Sequence, residues 1–344
     1  MHLPNRLSRH VLSWKNDTPL PAYEPGTSIA FQSWHHFESG HGWVPLVPLA
    51  SGGSINQTYD EASRDQVLSP LTLLTWNIDA ASARVEERVN GIIDCIVQLQ
   101  PAVDIIFFQE VSRPALRQIL ESREVQESWF SSEHDDTSFG AQSFATLTLL
   151  SKTRFASGPA DAKSPTGMAV LGSVWRVKYP SRYSRDALCC DILVPSTKPP
   201  SSLVRIRLIN VHLDSLPIKP SRRPQQLSIA SSFLRSARRG IVAGDFNPVM
   251  EEDDTLVQDN HLDDAWTTLN PDQPGHTWGT DGKQPFPACR LDKVALTGLR
   301  AHAIRIVPAE QLGDGPEESQ SLSLSESNLS WSDHHALVCS FGIE

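Results

Sequence analysis

The sequence has no apolar run approaching the roughly 18 residues that a membrane-crossing helix requires, so no membrane partner is expected. Its first residues, MHLPNRLSRHVLSWK, lack the continuous apolar stretch of a secretory leader. Arg6, Arg9 and Lys15, with no acid before Asp17, leave open only a transit-peptide reading. Cysteine is scarce: Cys95, Cys189, Cys190, Cys289 and Cys339 are odd in number and show no paired-ligand spacing. One adjacent pair is too close for an ordinary disulfide, so reduced thiols and an intracellular setting, nuclear or cytoplasmic, are expected. Positive charge is also short. Thirty basic residues face forty acidic ones, for a net charge of −10, which argues against broad coating of nucleic acid. It leaves room for an enzyme that grips phosphate through a cation in an acidic pocket.

What is present is the composition of a soluble globular protein, 39% apolar and 20% charged. Residues 1–68 carry few periodic signals and read as a partly irregular N-terminal extension. Within it, FQSWHHFESGHGWVPLV has aromatics around a Ser-Gly turn and fits a hairpin packed on the rest. Residues 69–344 read as one catalytic domain.

There the pattern changes. LTLLTWNID (71–79) is a buried strand by its nearly continuous apolar and β-branched run. Val85, Val89, Ile92, Ile93 and Ile96 have the spacing of one helix face over 83–99, closed by Pro101. IIFFQEV (105–111) is a strand, and Ser112 with Pro114 is a helix start. Further strands are expected at 145–151, 186–194, 204–215 and 240–247, a helix at 225–237, and last strands in LDKVALTG, AIRIVPA and HALVCSFGI. Several strands follow one another without helices. An α/β fold with sheet packed on sheet and helices outside therefore fits better than a purely parallel sheet. The Ser/Glu-rich stretch 311–330 reads as an exposed, mobile loop.

The polar residues gather at predicted strand ends: Asn77 and Asp79, Glu110, His212 and Asp214, Asp245 and Asn247, Asp292, and Ser332-Asp333-His334. One such residue alone is usually a turn former. Six sets on separate strands are a different matter, because sheet packing brings strand ends onto one face. Acids and amides converging there are what a hard, oxygen-seeking cation requires. They also suit phosphodiester hydrolysis: Glu110 for Mg²⁺, Asp245 to take a proton from water, Asn247 to orient that water. A cationic His334, held by Asp292, would stabilise charge growing on phosphorus.

In order, the motifs are Thr75-Trp76-Asn77-Ile78-Asp79, Gln109-Glu110-Val111, Asn210-Val211-His212-Leu213, Gly244-Asp245-Phe246-Asn247, Arg290-Leu291-Asp292 and Ser332-Asp333-His334. This series resembles the endonuclease/exonuclease/phosphatase superfamily, which includes deoxyribonuclease I and the abasic-site endonucleases, over about residues 70–344. The resemblance implies a four-layered α/β sandwich, two mixed sheets face to face flanked by helices. It also implies a Mg²⁺ cofactor, with Mn²⁺ able to substitute, and metal contacts from Glu110, Asp79 and Asp333. Within the superfamily, VHLDS followed by RRPQQL, together with HTWGT and RLDKV, is similar to the 5′-tyrosyl-DNA phosphodiesterases of the second type. That likeness implies DNA ends as partner, specifically single-stranded 5′ termini bearing adducts, and a monomeric chain. It casts His212 as a phosphate contact and Trp278 as a wall of a strand channel. Arg185 and Arg223 are further substrate contacts to test. The sequence departs from that subfamily at Pro248-Val249, where an arginine two residues past the asparagine is usual, and at RLDK in place of RFDR. RNA, phosphoinositide or sphingomyelin substrates, or a non-catalytic binding module, stand as alternatives.

Overall fold

The structure is a computed structural model that describes residues 17–22, 25–46, 70–157, 168–195, 203–312 and 329–343. The basic segment before Asp17 and most of the Ser/Glu-rich stretch, 313–328, lie outside the described residues.

In chain order the strands are β1 (Ser28–Gln32), β2 (His35–Glu38), β3 (Gly42–Pro45), β4 (Leu71–Asn77), β5 (Ile105–Ser112), β6 (Trp129–Ser131), β7 (Phe144–Ser151) and β8 (Phe155–Ala156). They continue as β9 (Ala169–Lys178), β10 (Asp186–Pro195), β11 (Leu203–His212), β12 (Gly240–Asp245), β13 (Asp263–Asp264), β14 (Asp292–Thr297), β15 (Arg300–Val307) and β16 (Ala336–Gly342). The α-helices are α1 (Val85–Gln98), α2 (Arg113–Glu121), α3 (Arg123–Ser128), α4 (Arg223–Ala237), α5 (Leu256–Asp259) and α6 (Ala265–Leu269).

Two eight-stranded sheets result. One runs β1-β9-β10-β11-β12-β14-β13, with β8 beside β9; the other runs β15-β16-β4-β5-β7-β6-β2-β3. Both are mixed, since β11–β12 and β4–β5 pair in parallel while most neighbours are antiparallel. The two inner faces share one apolar layer, with Leu73, Ile105 and Phe107 from one sheet and Leu208, Ile241 and Val294 from the other. Outside the first sheet, α4 packs Leu227, Phe233 and Leu234 onto Ile209, Val211 and Val242. Outside the second, α1 lays Val89, Ile92, Ile93 and Ile96 over Leu74, Trp76 and Phe108. Each such fully buried aliphatic is worth about 1.5–3 kcal/mol. The expected four-layered sandwich is what the chain forms.

The extension is more integral than its composition suggests. Residues 28–32 add strand β1 to one sheet, and the β2–β3 hairpin joins the other through His35 and Ser131. Trp34 lies in the inter-sheet core. A division at residue 68 thus follows composition rather than packing.

Strand periodicity explains how the site arises. Inner-face positions read Leu71, Leu73, Thr75, Asn77 on β4 and Ile206, Leu208, Asn210, His212 on β11; both strands pass from apolar to polar along their length. Ile241, Ala243 and Asp245 do the same on β12, and Asp292 lies opposite Asp245 in the β12–β14 ladder. The inter-sheet layer is therefore greasy at one end and polar at the other.

Candidate active site

The polar end is closed below by a hydrogen-bonded girder. Gln109 Nε2 donates to Thr75 Oγ1 (3.0 Å) and to Asn210 Oδ1 (2.9 Å). Asn210 Nδ2 in turn donates to Leu147 O (2.9 Å). These bonds between buried amides tie the two sheets together.

Above it stands Asp245. Gly244 precedes it at φ 140°, where a Cβ would lie 1.9 Å from the Val211 carbonyl, so only glycine lets β12 approach β11 this closely. Asp245 accepts from Asn77 Nδ2 (3.0 Å) and from the Asn247 backbone N–H (2.9 Å). Burial pushes its pKa up to about 7, against the lowering influence of His334 and these two donors. His334 donates through Nδ1 to Asp292 Oδ2 (2.8 Å), and its Nε2 is 3.9 Å from Asp245 Oδ2. Burial opposes a charged imidazole, but Asp292, Asp245 and Asp333 outweigh it and hold the His334 pKa well above its ordinary value. Thr277, fully buried, anchors this pair by accepting the Leu291 and Asp292 N–H groups on its hydroxyl.

His212 behaves in the opposite sense. Burial, with the positive charges of Arg185 and His334, drives its pKa well below the usual value, so the imidazole is neutral. Its Nε2 is 3.5 Å from Asp245 Oδ2 and 3.8 Å from Glu110 Oε1. Glu110 comes next to the inward-facing Gln109, so plain alternation would turn it away. A bulge between Phe108 and Val111 places Glu110 at φ 55° and brings its carboxylate to His212. A non-glycine residue held there is strained, a recurrent feature of functional positions.

The carboxylates expected to hold a cation differ in availability. Among the described residues, Glu110 Oε2 accepts the Ala80 N–H (2.9 Å) and no other hydrogen bond. Asp79, by contrast, receives Ala81 N (2.9 Å), Ser82 N (3.2 Å) and the Ser82 hydroxyl, closing its own turn. Asp333 accepts the Trp278 indole N–H (2.9 Å). Among the described residues the only cluster of three potential ligands with mutually close donor atoms is Asp245, Asp292 and His334, within 4.8 Å. Asp292 Oδ2 is taken by His334 Nδ1, and Asp245 by Asn77 and the Asn247 N–H, an arrangement that suits proton handling. Mg²⁺ keeps most of its waters and needs only one or two carboxylates, so Glu110, a hard oxygen donor with an uncommitted Oε1, fits it, with Asp79 and Asp333 nearby.

Of the expected substrate contacts, Trp278 is half-buried beside this centre and Arg185 faces it. The Arg185 guanidinium lies 4.5 Å from the Phe144 ring, and Phe144 stacks on His212 at 5.9 Å. Among the described residues no carboxylate lies within ion-pair distance of Arg185, although Glu110 and Asp245 act on it electrostatically. A cleft of about 700 Å³ opens beside it, lined by Lys178, Arg182, Tyr183, Arg185 and Arg222. Arg223 is a correction. It is 1% exposed, bonded through Nε to Asp253 (2.7 Å) and through NH1 to the Asp214 carbonyl (2.6 Å), and so is placed as an internal strut rather than on the cleft wall.

Sequence reasoning missed Phe144, Thr277 and Arg88. Only Arg88 left a signal: a charged residue on the apolar stripe, between Val85 and Ile92.

The chain belongs to the Endonuclease/Exonuclease/phosphatase family, whose model matches residues 74–334, and so to a family of hydrolytic phosphoesterases. Among solved structures it is similar to D. rerio TDP2 complexed with single strand DNA product, at 21% identity and TM-score 0.58, covering 80% of this chain and 99% of that one. It is also similar to C. elegans TDP2, at 19% identity and TM-score 0.55, covering 80% and 76%. A Leptotrichia buccalis protein of the same family follows at 12% identity and TM-score 0.52, covering 79% and 100%. No curated protein matches significantly. At these identities the likeness establishes the fold.

Proposed function

We propose that the protein is a Mg²⁺-dependent phosphodiesterase acting at DNA ends, with 5′-phosphotyrosyl adducts as its substrate. The observation that carries this is the placement of two buried histidines around one carboxylate: His212 and His334 flank Asp245 at 3.5 and 3.9 Å, in surroundings that favour a neutral His212 and a cationic His334. Asp245, near neutrality, takes the proton of the attacking water, and Asn247 orients that water. The imidazolium of His334, fixed by Asp292, faces the charge that grows on the phosphoryl oxygens. His212 donates a neutral hydrogen bond to the phosphate. When bound, a divalent ion at Glu110 neutralises the non-bridging oxygens.

The choice of DNA rests on two supports. Arg185 and the cationic cleft beside it suit a strand backbone, despite the net negative charge of the chain. Trp278 offers a half-exposed indole on which a base can stack, worth about 1–3 kcal/mol. The D. rerio relative, solved with single strand DNA product, agrees with this direction. In the test, purified protein with Mg²⁺ is offered 5′-tyrosyl oligonucleotide, abasic DNA, RNA and phosphoinositide at equal concentration. Preferential release of tyrosine is expected; an intact tyrosyl substrate beside brisk cleavage of another phosphoester refutes the assignment.

A further inference from the structure

We infer that Arg88 is a positioning residue for the cation-binding side of the site, acting through a clasp formed with Trp331 and Gly91; the inference rests on the phosphodiesterase reading above. Arg88 projects from the first turns of α1 and is 2% exposed. All five of its N–H groups end on main-chain carbonyls. Nε reaches Ala83 (2.9 Å), NH1 reaches Ile78 (2.8 Å) and Trp331 (2.8 Å), and NH2 reaches Asp79 (2.7 Å) and Ser82 (3.2 Å). Four of these carbonyls belong to the loop after β4, and the fifth to the segment that carries His334. One planar group therefore ties the loop after β4 to Trp331, which lies 243 residues beyond Arg88 itself.

The joint serves the site on both sides. The loop it holds donates the Ala80 N–H to Glu110 Oε2. The segment it holds continues into Ser332, whose hydroxyl donates to Asn77 O (2.6 Å) and accepts the His334 N–H (3.0 Å). Trp76 Nε1 adds a bond to His334 O (2.9 Å). Trp331 itself is wedged against α1. A Cβ on Gly91 would lie 2.3 Å from its indole nitrogen, and its ring meets Trp76 edge-on at 6.4 Å. The glycine in mid-helix, otherwise unfavourable, makes room for that wedge.

The charge is placed as deliberately as the bonds. Asp79, Glu110 and Asp333 all act electrostatically on Arg88, yet among the described residues none forms an ion pair with it. Because carbonyls satisfy the guanidinium, the carboxylates are not drawn into it, and Glu110 keeps an oxygen for a cation. Lysine, with three donors and no planar fork, cannot reproduce this.

The test uses the full chain without substrate: calorimetric titration with Mg²⁺ of wild type, Arg88→Lys, Gly91→Ala and a surface control, Arg123→Lys. Arg88→Lys and Gly91→Ala should bind Mg²⁺ about 10–100-fold more weakly, as loss of groups that orient metal ligands typically does, with the control unchanged. In turnover, the Mg²⁺ needed for half-maximal rate should rise in proportion, and excess Mg²⁺ should restore most of the rate. Because bound Mg²⁺ also stabilises a merely weakened fold, the variants' circular dichroism with chelator present should match wild type under the titration conditions. Gly91→Ala decides alone if Arg88→Lys does not fold: alanine keeps the helix, and its Cβ is expected to push the Trp331 ring outward. Wild-type Mg²⁺ affinity in the folded variants overturns the inference. Failure of the 5′-tyrosyl assignment leaves this result standing, because the titration contains no substrate. A wild-type chain that binds no Mg²⁺ overturns the cation pocket and the clasp together.

Discussion

Replacing Asp245 with asparagine should stabilise the cation-free protein while abolishing its activity, and the gain should depend on pH. In the fold, burial raises the Asp245 pKa from an ordinary 3.8 to about 7, so the folded chain keeps a proton there that the unfolded chain has released. For a group raised in this way, the stability contribution is fully present below the unfolded pKa and lost as pH climbs through the folded one. The loss begins near pH 4 and is complete above about pH 7. A gap of about three pH units at roughly 1.4 kcal/mol each bounds the penalty at about 4 kcal/mol above neutrality. Asparagine mimics the neutral acid and escapes it. Part of the gain is returned, because His334 loses one of the carboxylates that sustain its charge. A net gain of about 1–4 kcal/mol at pH 8 follows, falling to less than half of that at pH 5. Urea unfolding followed by tryptophan fluorescence, with chelator present at both pH values, measures it. An equal gain at the two pH values, or a loss at pH 8, would refute the placement of a strained carboxylate at this position.

Other outcomes follow from the same geometry. His334→Ala and Asp292→Asn should each lower turnover by about 10²–10³-fold with substrate binding largely kept, read from single-turnover kinetics. At constant metal occupancy, kcat/KM should rise as pH passes about 7, where Asp245 ionises, and fall again at higher pH as His334 loses its proton; a flat profile from pH 6 to 9 counts against both roles. Arg223 and Arg185 should separate cleanly. Arg223→Ala strands the buried Asp253 carboxylate and should cost about 3–5 kcal/mol of stability without a specific effect on KM, whereas Arg185→Ala should raise KM for an oligonucleotide and leave stability nearly intact.

Much of this architecture could be read from the sequence because its elements obey simple periods. β4 and β12 are nearly continuous apolar runs that end in Asn77 and Asp245, β11 alternates Ile206 and Leu208 with Arg205 and Arg207 before ending in His212, and α1 carries an apolar stripe broken by Arg88. β9 escaped notice because Gly172, Ser173 and Arg176 interrupt its apolar run, although the fold buries all three. Arg176 is neutralised there by Glu133 (2.7 Å) and Asp186 (2.9 Å), partners that only tertiary pairing supplies. At the site, the residue types announced themselves but their employment did not. A bulge, not alternation, turns Glu110 inward. Asp79 closes its own turn, and Arg223 meets a buried acid thirty residues away. Such assignments depend on which donor lies across a gap, and a one-dimensional pattern carries no record of it.

In the proposed site, strand ends distant in sequence enclose one divalent cation beside Asp245 and His334. An anomalous-difference map from crystals grown with Mn²⁺ tests it most directly. One strong peak is expected within bonding distance of a Glu110 oxygen, facing the Asp245–His334 pair. A map with no peak at Glu110, or with the ion bound elsewhere, would contradict it.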